Sequence, residues 1–476
     1  MAAARVKFLD KQEEDLVHQE SLRCLSELGV MVWSPRVLKL LEDKGASVDN
    51  KKGVAMLPES MVKDAIKSAP KEIRLHARDP KHDLVLPVRG APHIATSGLA
   101  VYVIDPETHE KRNSTRKDIA AFGKLADATD AIGYFWPTVT ATEVTDEAHS
   151  LHELWTALQN CTKHVQGVSI LSAEDIRTQI ELGALVAGSK EELRKNPIFS
   201  VICCTIAPLS FEHKAVEGQV ELAKGGIPVV SMSMSLAGMS SPVTIAGTIL
   251  NANAENLASL VITQSASKGA PHIYSSESAP VDMTTGGINY FAPETPAINA
   301  ALGQMAKRYG IPAMTGSWGV GGDMPGLPES FMDIFGSCLL SMANTDIASG
   351  MGSIDSAKGA SLEQAVIDAW LWEDVRPYLR EFRVDRETFA FDVMKVVGHG
   401  GTFLTNPHTG RNFRKELHVG DKTKKGLHSI PRGKVAEEAR AVVRKTLKEH
   451  TVPGLDSDIV RRGDDVIKRF ERSLAK

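Results

Sequence analysis

Cysteine is scarce and scattered in this sequence. Cys24, Cys161, Cys203, Cys204 and Cys338 make five, an odd number, with no CxxC spacing among them. Neither a disulfide framework nor a zinc ribbon organises such a chain, so a reducing cytoplasm is expected and no metal site is indicated. No stretch holds the ~18 to 20 unbroken apolar residues of a membrane helix. Met1–Gln12 carries charges but lacks the apolar core of a signal peptide. An excess of one charge is missing too: the formal net charge is −4 over 476 residues, and nucleic-acid binding, which needs a basic face, is not expected. The longest basic run, Lys422–Lys425 with Arg411, Arg414 and Lys415 nearby, reads as a solvated loop. Aromatic residues are only 5% of the chain, so the place of each one carries information.

What is present is a long alternation of elements. Residues 1–90 read as a helical region packed on the main domain. Glu13–Leu28 is amphipathic, with Gly29 just past its end. Ser34-Pro35 opens a second helix that Gly45 closes, and a third lies near Glu59–Ser68. From 91 to 375 short apolar runs alternate with longer amphipathic ones. The candidate strands are His93–Ser97, Tyr134–Thr140, His164–Ile170, Ile198–Ile206, Pro228–Ser235, His272–Ser276, Pro312–Ser317 and Asp346–Gly350. Thr115 with Asp118, Ser172 with Asp175, and Ser361 with Gln364 have capping-box spacing. Ser241-Pro242 and Pro293 open two further helices. Eight such units in sequence predict a (β/α)₈ TIM barrel, with an open α/β sheet as the alternative. Ala100–Asp105 reads equally as a hairpin strand. Residues 376–476 form an irregular extension with helices around Lys434–Lys448 and Asp456–Leu474.

In a barrel of this kind the active site lies at the C-terminal ends of the strands. That rule selects serines, methionines, glycines and aromatics, with few acid–base groups; the carboxylates nearby are Glu277, Asp282, Glu294 and Asp323. Trp136, Tyr274, Tyr290, Phe291 and Trp318 fall at strand ends or in the loops that follow. Any one of them suits barrel packing as well. Together they form a candidate box for a cation without hydrogen-bond donors, held by ring faces. The glycine-rich Gly319–Gly322 and Gly398–Gly401 have neither dinucleotide nor phosphate-loop spacing. In Cys203-Cys204 at most one side chain faces the barrel interior, because neighbours on a strand point to opposite faces.

Leu22–Val30 followed by Leu38–Val48 resembles the start of the trimethylamine methyltransferase family. So do Ala69–Arg78, Ser241–Gly247 with Asn253-Ala-Glu255, Gly269–Pro271, and Gly398–Leu404 with His408-Thr409. The resemblance spans roughly the whole chain. It implies a methyltransferase that binds no cofactor directly and passes a methyl group from an amine to the Co(I) corrinoid (cobalamin) of a separate, cognate corrinoid protein. It also implies a homo-oligomer. Family members acting on trimethylamine carry pyrrolysine, whose equivalent falls within Thr315–Gly322. Only standard residues stand there. The chain therefore resembles the non-pyrrolysine branch, whose substrates are quaternary amines such as glycine betaine. That chemistry needs positioning rather than a protein nucleophile, because a quaternary ammonium already has a neutral leaving group. Trp136, Tyr274, Tyr290, Phe291 and Trp318 are then expected to enclose the cation, with Glu277 or Asp323 adding charge. Ser317, backbone amides from Gly319 onward, or His399 would hold a betaine carboxylate. A non-catalytic amine-binding or corrinoid-protein-docking barrel is the alternative.

Overall fold

The computed structural model describes residues 5–167, 169–328, 331–343, 345–419 and 426–474; the basic run Lys422–Lys425 lies outside them. All eight expected strands form, six of them shorter than their apolar runs. They are β1 (His93–Thr96), β2 (Ile132–Tyr134), β3 (Val165–Gly167), β4 (Phe199–Cys204), β5 (Val229–Ser233), β6 (His272–Ser276), β7 (Ala313–Ser317) and β8 (Ile347–Met351). Pairing is parallel and runs in chain order from β3 to β8, then to β1 and β2. The circle closes where Phe135, just past β2, bridges Val165 of β3. There the Phe135 N–H donates to the His164 carbonyl and the Gln166 N–H to the Phe135 carbonyl, each at 2.9 Å. An open sheet would leave both of those edges unpaired. This is a (β/α)₈ barrel.

The helices that follow the strands are α1 (Arg116–Ala128), α2 (His149–Asn160), α3 (Ala173–Ala187), α4 (His213–Gly225), α5 (Ile245–Ala266), α6 (Glu294–Tyr309), α7 (Phe331–Ser341) and α8 (Leu362–Val375). Their starts obey local chemistry. Asp118 accepts the Thr115 N–H at 2.8 Å, Ser172 accepts the Asp175 N–H at 3.0 Å, and Ser361 accepts the Gln364 N–H at 3.3 Å. Each satisfies an amide that the first helical turn leaves without a partner. Pro293 caps α6, which ends on Gly310 in the left-handed conformation. The expected start of α5 shifts from Ser241-Pro242 to Thr244-Ile245, and the Thr248 hydroxyl donates back to the Pro242 carbonyl at 2.9 Å.

The N-terminal region departs from the all-helical expectation. Its three helices are Lys11–Glu27, Pro35–Asp43 and Glu59–Ser68. Between them Val30–Val32, Ser47–Asp49 and Val54–Met56 pair as a sheet, which Ser210–Phe211 extends in parallel. Three-residue strands are too short to show a two-residue period, which is why the sequence hid them. A hairpin of Ile73–Leu75 and Leu84–Leu86 follows. Its Leu75 and Leu86 pack with Ile202, Val230, Ile273 and Met314 inside the barrel, so it plugs the N-terminal end and leaves the other end free. Tyr102–Ile104 pairs with Lys111–Asn113 as the alternative hairpin reading had it.

Asp346 sews the plug to the barrel. This fully buried carboxylate accepts the Val88 N–H at 2.9 Å, the Ala313 N–H at 2.7 Å and the Lys307 ammonium at 2.6 Å. Its removal leaves a buried amide, a part-buried amide and a half-buried cation uncompensated. Asp346→Ala is expected to cost about 3 kcal/mol of unfolding free energy, read from the midpoint shift in urea denaturation.

Candidate active site

The free, C-terminal end of the barrel holds a cavity of about 250 Å³. Strand ends supply its floor: Ser97, Trp136, Cys204, Glu277, Ser317 and Ser349 come from six different strands or the residues just past them. Tyr290 and Phe291, from the loop before α6, and Asp333, Phe335 and Leu340 of α7 form the walls. Strand alternation decides who faces in. Cys203 packs in the outer core while Cys204 lines the cavity.

Six of the sequence-selected residues come together here: Trp136, Glu277, Tyr290, Phe291, Ser317 and Gly319. Four do not, and parity accounts for two of them. Ile273 and Glu277 face inward on β6 and its extension, so Tyr274 faces out. It packs against the α5–α6 side, and its hydroxyl donates to Asn253 Oδ1 at 3.0 Å. Ser317 and Gly319 line the cavity, so Trp318 between them turns outward onto Trp372, edge to face, with ring centroids 4.8 Å apart. Asp323 is exposed in the loop beyond, within electrostatic reach of Tyr102. His399 is exposed in the C-terminal extension. Cys204 and Met234, which the strand-end rule admitted without giving them a role, also line the cavity, and so does Asp333, which it missed. The parity rule applied along β4 points to Cys204; Asp333 had no such signal, because α7 leans over the mouth only in three dimensions.

Glu277 is a half-buried carboxyl in the cavity wall. It takes one hydrogen bond, from the Ser349 hydroxyl at 3.2 Å, and burial pushes its carboxyl above the usual range. Its charge reaches Tyr290, whose phenol is raised first by burial and then by Glu277. Desolvation by the surrounding wall raises the Cys204 thiol, although it is exposed to the cavity, and Glu277 raises it further. A thiol held there stays protonated near neutral pH and is a poor nucleophile. Two close approaches shape the walls. A Cβ on Gly319 would fall 2.5 Å from the Gly350 carbonyl oxygen, so only glycine lets the ends of β7 and β8 touch. A Cβ on Gly98 would fall 2.1 Å from Trp136 Nε1. That indole N–H is buried and has no hydrogen-bond partner, so Gly98 covers it and ring carbon is left to face the cavity. Behind the rim, buried Asp368 holds the loops after β7 and β8, accepting the Gly352 N–H at 2.8 Å and the Val320 N–H at 3.4 Å.

The Trimethylamine methyltransferase (MTTB) family profile matches residues 2–475. The chain belongs to that family. It is 30% identical over 400 residues to the trimethylamine methyltransferase MttB of Desulfitobacterium hafniense (strain DSM 10664 / DCB-2), covering 84% of this chain and 80% of that one. To the trimethylamine methyltransferase MttB of Methanosarcina barkeri it is 28% identical, covering 96% and 94%. To the glycine betaine methyltransferase of Desulfitobacterium hafniense (strain Y51) it is 26% identical, covering 96% and 95%. Among solved structures, the monomethylamine methyltransferase of Methanosarcina barkeri superposes with a TM-score of 0.54 at 12% identity, over 93% of this chain and 88% of that one, which supports the barrel fold. This member of the family is a methyltransferase, and no helix among its described residues is long and apolar enough to cross a membrane.

Proposed function

We propose that this methyltransferase takes a methyl group from a quaternary amine, the class that includes glycine betaine, and delivers it to the Co(I) corrinoid of a partner protein. The observation that carries the reading is the content of the cavity. Trp136, Tyr290 and Phe291 contribute rings, Glu277 contributes a half-buried carboxyl, and the one lining thiol has its pKa raised rather than lowered. Ring faces and a carboxylate suit a cation that has no N–H to donate. With no activated nucleophile in the wall, the methyl acceptor has to come from outside. A corrinoid brought to the mouth supplies a nucleophile strong enough to displace a neutral tertiary amine, and the chain's own task is to hold the cation and exclude water. Only standard residues stand within Thr315–Gly322, where the resemblance puts pyrrolysine, which favours the quaternary branch over trimethylamine. A reducing cytoplasm suits both a Co(I) acceptor and five free thiols.

The test is anaerobic mixing of the protein with Co(I) cobalamin or the corrinoid protein, followed by amines one at a time, with corrinoid methylation read from the visible spectrum. Methylation by a quaternary amine but not by trimethylamine is expected. Activity on trimethylamine overturns the branch, and amine binding without any methylation leaves only a binding protein.

The working unit is a homo-oligomer on this reading, and the support lies in the C-terminal extension. None of residues 380–419 is buried, yet Phe391–Val397 and Pro407–Glu416 are ordered as helices. Eleven large apolar side chains there are exposed, among them Phe389 (60%), Phe391 (62%), Val396 (81%) and Leu404 (81%). Their summed exposed area, on the order of 1,000 Å², is comparable to one side of a stable interface. Asp374, in the last turn of α8, lies within electrostatic reach of His418 and His428. The arm therefore leaves and returns at the end of the barrel opposite the cavity mouth, away from an incoming acceptor, and a second copy of the chain is the occupant it fits. Light scattering is expected to show an oligomer that dissociates when Phe389, Phe391, Val396 and Leu404 are replaced by serine. A monomeric parent protein would refute this assignment.

A further inference from the structure

The charge balance of the cavity points further than its rings do. Among the described residues that line it there is no lysine, arginine or histidine, while Glu277 and Asp333 bring two carboxyl groups, both raised by burial. Neutral donors remain in the wall, among them the hydroxyls of Ser97, Tyr290 and Ser317, but several others are committed or turned away. The Trp136 N–H lies under Gly98, the Val320 N–H is taken by Asp368, the Ser349 hydroxyl is taken by Glu277, and His399 lies in the exposed arm. A betaine brings its own carboxylate on a short tether. Seated here with its ammonium against the rings, it would place that charge among two acidic groups and no basic one, in a water-poor pocket where like-charge repulsion is poorly screened. A quaternary ammonium whose remaining substituents are uncharged meets the opposite situation. Its positive charge compensates Glu277, and its alkyl groups cover apolar wall.

Resting on the quaternary-amine reading, we infer that the site selects quaternary ammonium ions with an uncharged remainder, of the tetramethylammonium and choline kind, and discriminates against betaines. Glu277 is the specificity-determining residue. Its carboxylate attracts the ammonium of every candidate but repels the carboxylate of a betaine, so its effect is large on the first group and largely cancels on the second.

The experiment is calorimetric titration of the full-length protein, without corrinoid, with tetramethylammonium, choline and glycine betaine, repeated on Glu277→Gln. The cations with an uncharged remainder are expected to bind at least about tenfold more tightly than glycine betaine. In Glu277→Gln their affinity drops about tenfold while that of glycine betaine holds or improves, narrowing the gap. Tighter binding of glycine betaine by the parent protein, or an equal loss for all three ligands in the variant, overturns the inference and leaves the quaternary-amine reading standing. No binding of any of the three overturns that reading itself. Retention of the parent melting temperature by Glu277→Gln separates a charge effect from misfolding.

Discussion

Glu277→Gln is expected to lower kcat/KM for methyl transfer by about 100-fold, or roughly 2 to 3 kcal/mol of transition-state stabilisation. The substitution keeps size and the acceptor for Ser349, so the change isolates the charge. Its sign against pH follows from the same geometry. Burial holds the Glu277 carboxyl above its ordinary range, and a protonated acid offers the cation nothing. Binding a cation favours the ionised form and releases the proton. Affinity and kcat/KM therefore rise with pH through the raised pKa of the free enzyme and then level, whereas the Gln variant is flat over that range. A rate that fell with rising pH in the parent protein would assign Glu277 the role of a proton donor instead. Measuring kcat/KM from about pH 5 to about pH 8 with both proteins decides between these, provided the acceptor's own pH dependence is measured and divided out.

The barrel was legible because its signal repeats. Each strand is a short apolar run, and most ends are off by a residue or a few; the exception is Tyr134–Thr140, whose strand starts two residues earlier and ends six earlier, at Ile132–Tyr134, whereas His272–Ser276 forms as read. The short strands around Val30 and Val54 and the plug at Ile73–Leu86 were not legible, since their partners lie elsewhere in the chain or their length gives no period. The cavity was half legible for a physical reason. Position at a strand end brings a residue to the right height, and parity along the strand decides whether it faces in. Height alone admitted Tyr274 and Trp318; parity sends both into the outer packing, against Asn253 and Trp372. Tyr290 and Phe291 sit in a loop with no period to read, and their place in the wall depends on where α6 and α7 dock. The family-like segments also separate by role. Asn253-Ala-Glu255 is internal scaffolding, while Gly398–Leu404 lies in the exposed arm.

Glu255 shows how that scaffolding reaches the site. It is fully buried, yet it accepts four hydrogen bonds that join three elements. One oxygen takes the hydroxyls of Thr205, at 2.5 Å, and Ser233, at 2.6 Å. The other takes the Leu209 N–H at 2.8 Å and the Asn251 amide at 2.9 Å. Thr205 directly follows Cys204, and Ser233 directly precedes Met234, so the carboxylate fixes the ends of β4 and β5 where both enter the cavity wall. Glu255→Ala removes all four acceptors at once. The loss is expected to be about 4 kcal/mol, because the Leu209 amide loses its acceptor and the Asn251 amide keeps only Ser235 as a partner. Glu255→Gln should cost only about 1 kcal/mol. Its carbonyl can serve the two N–H donors, while its NH₂ donates to the hydroxyls, which rotate to accept. Urea denaturation of the two variants measures the difference. Near-equal destabilisation would mean that the negative charge, rather than the four bonds, holds these loops in place. A stable Gln variant with reduced amine affinity would instead show that the wall at Cys204 and Met234 moves without the fold failing.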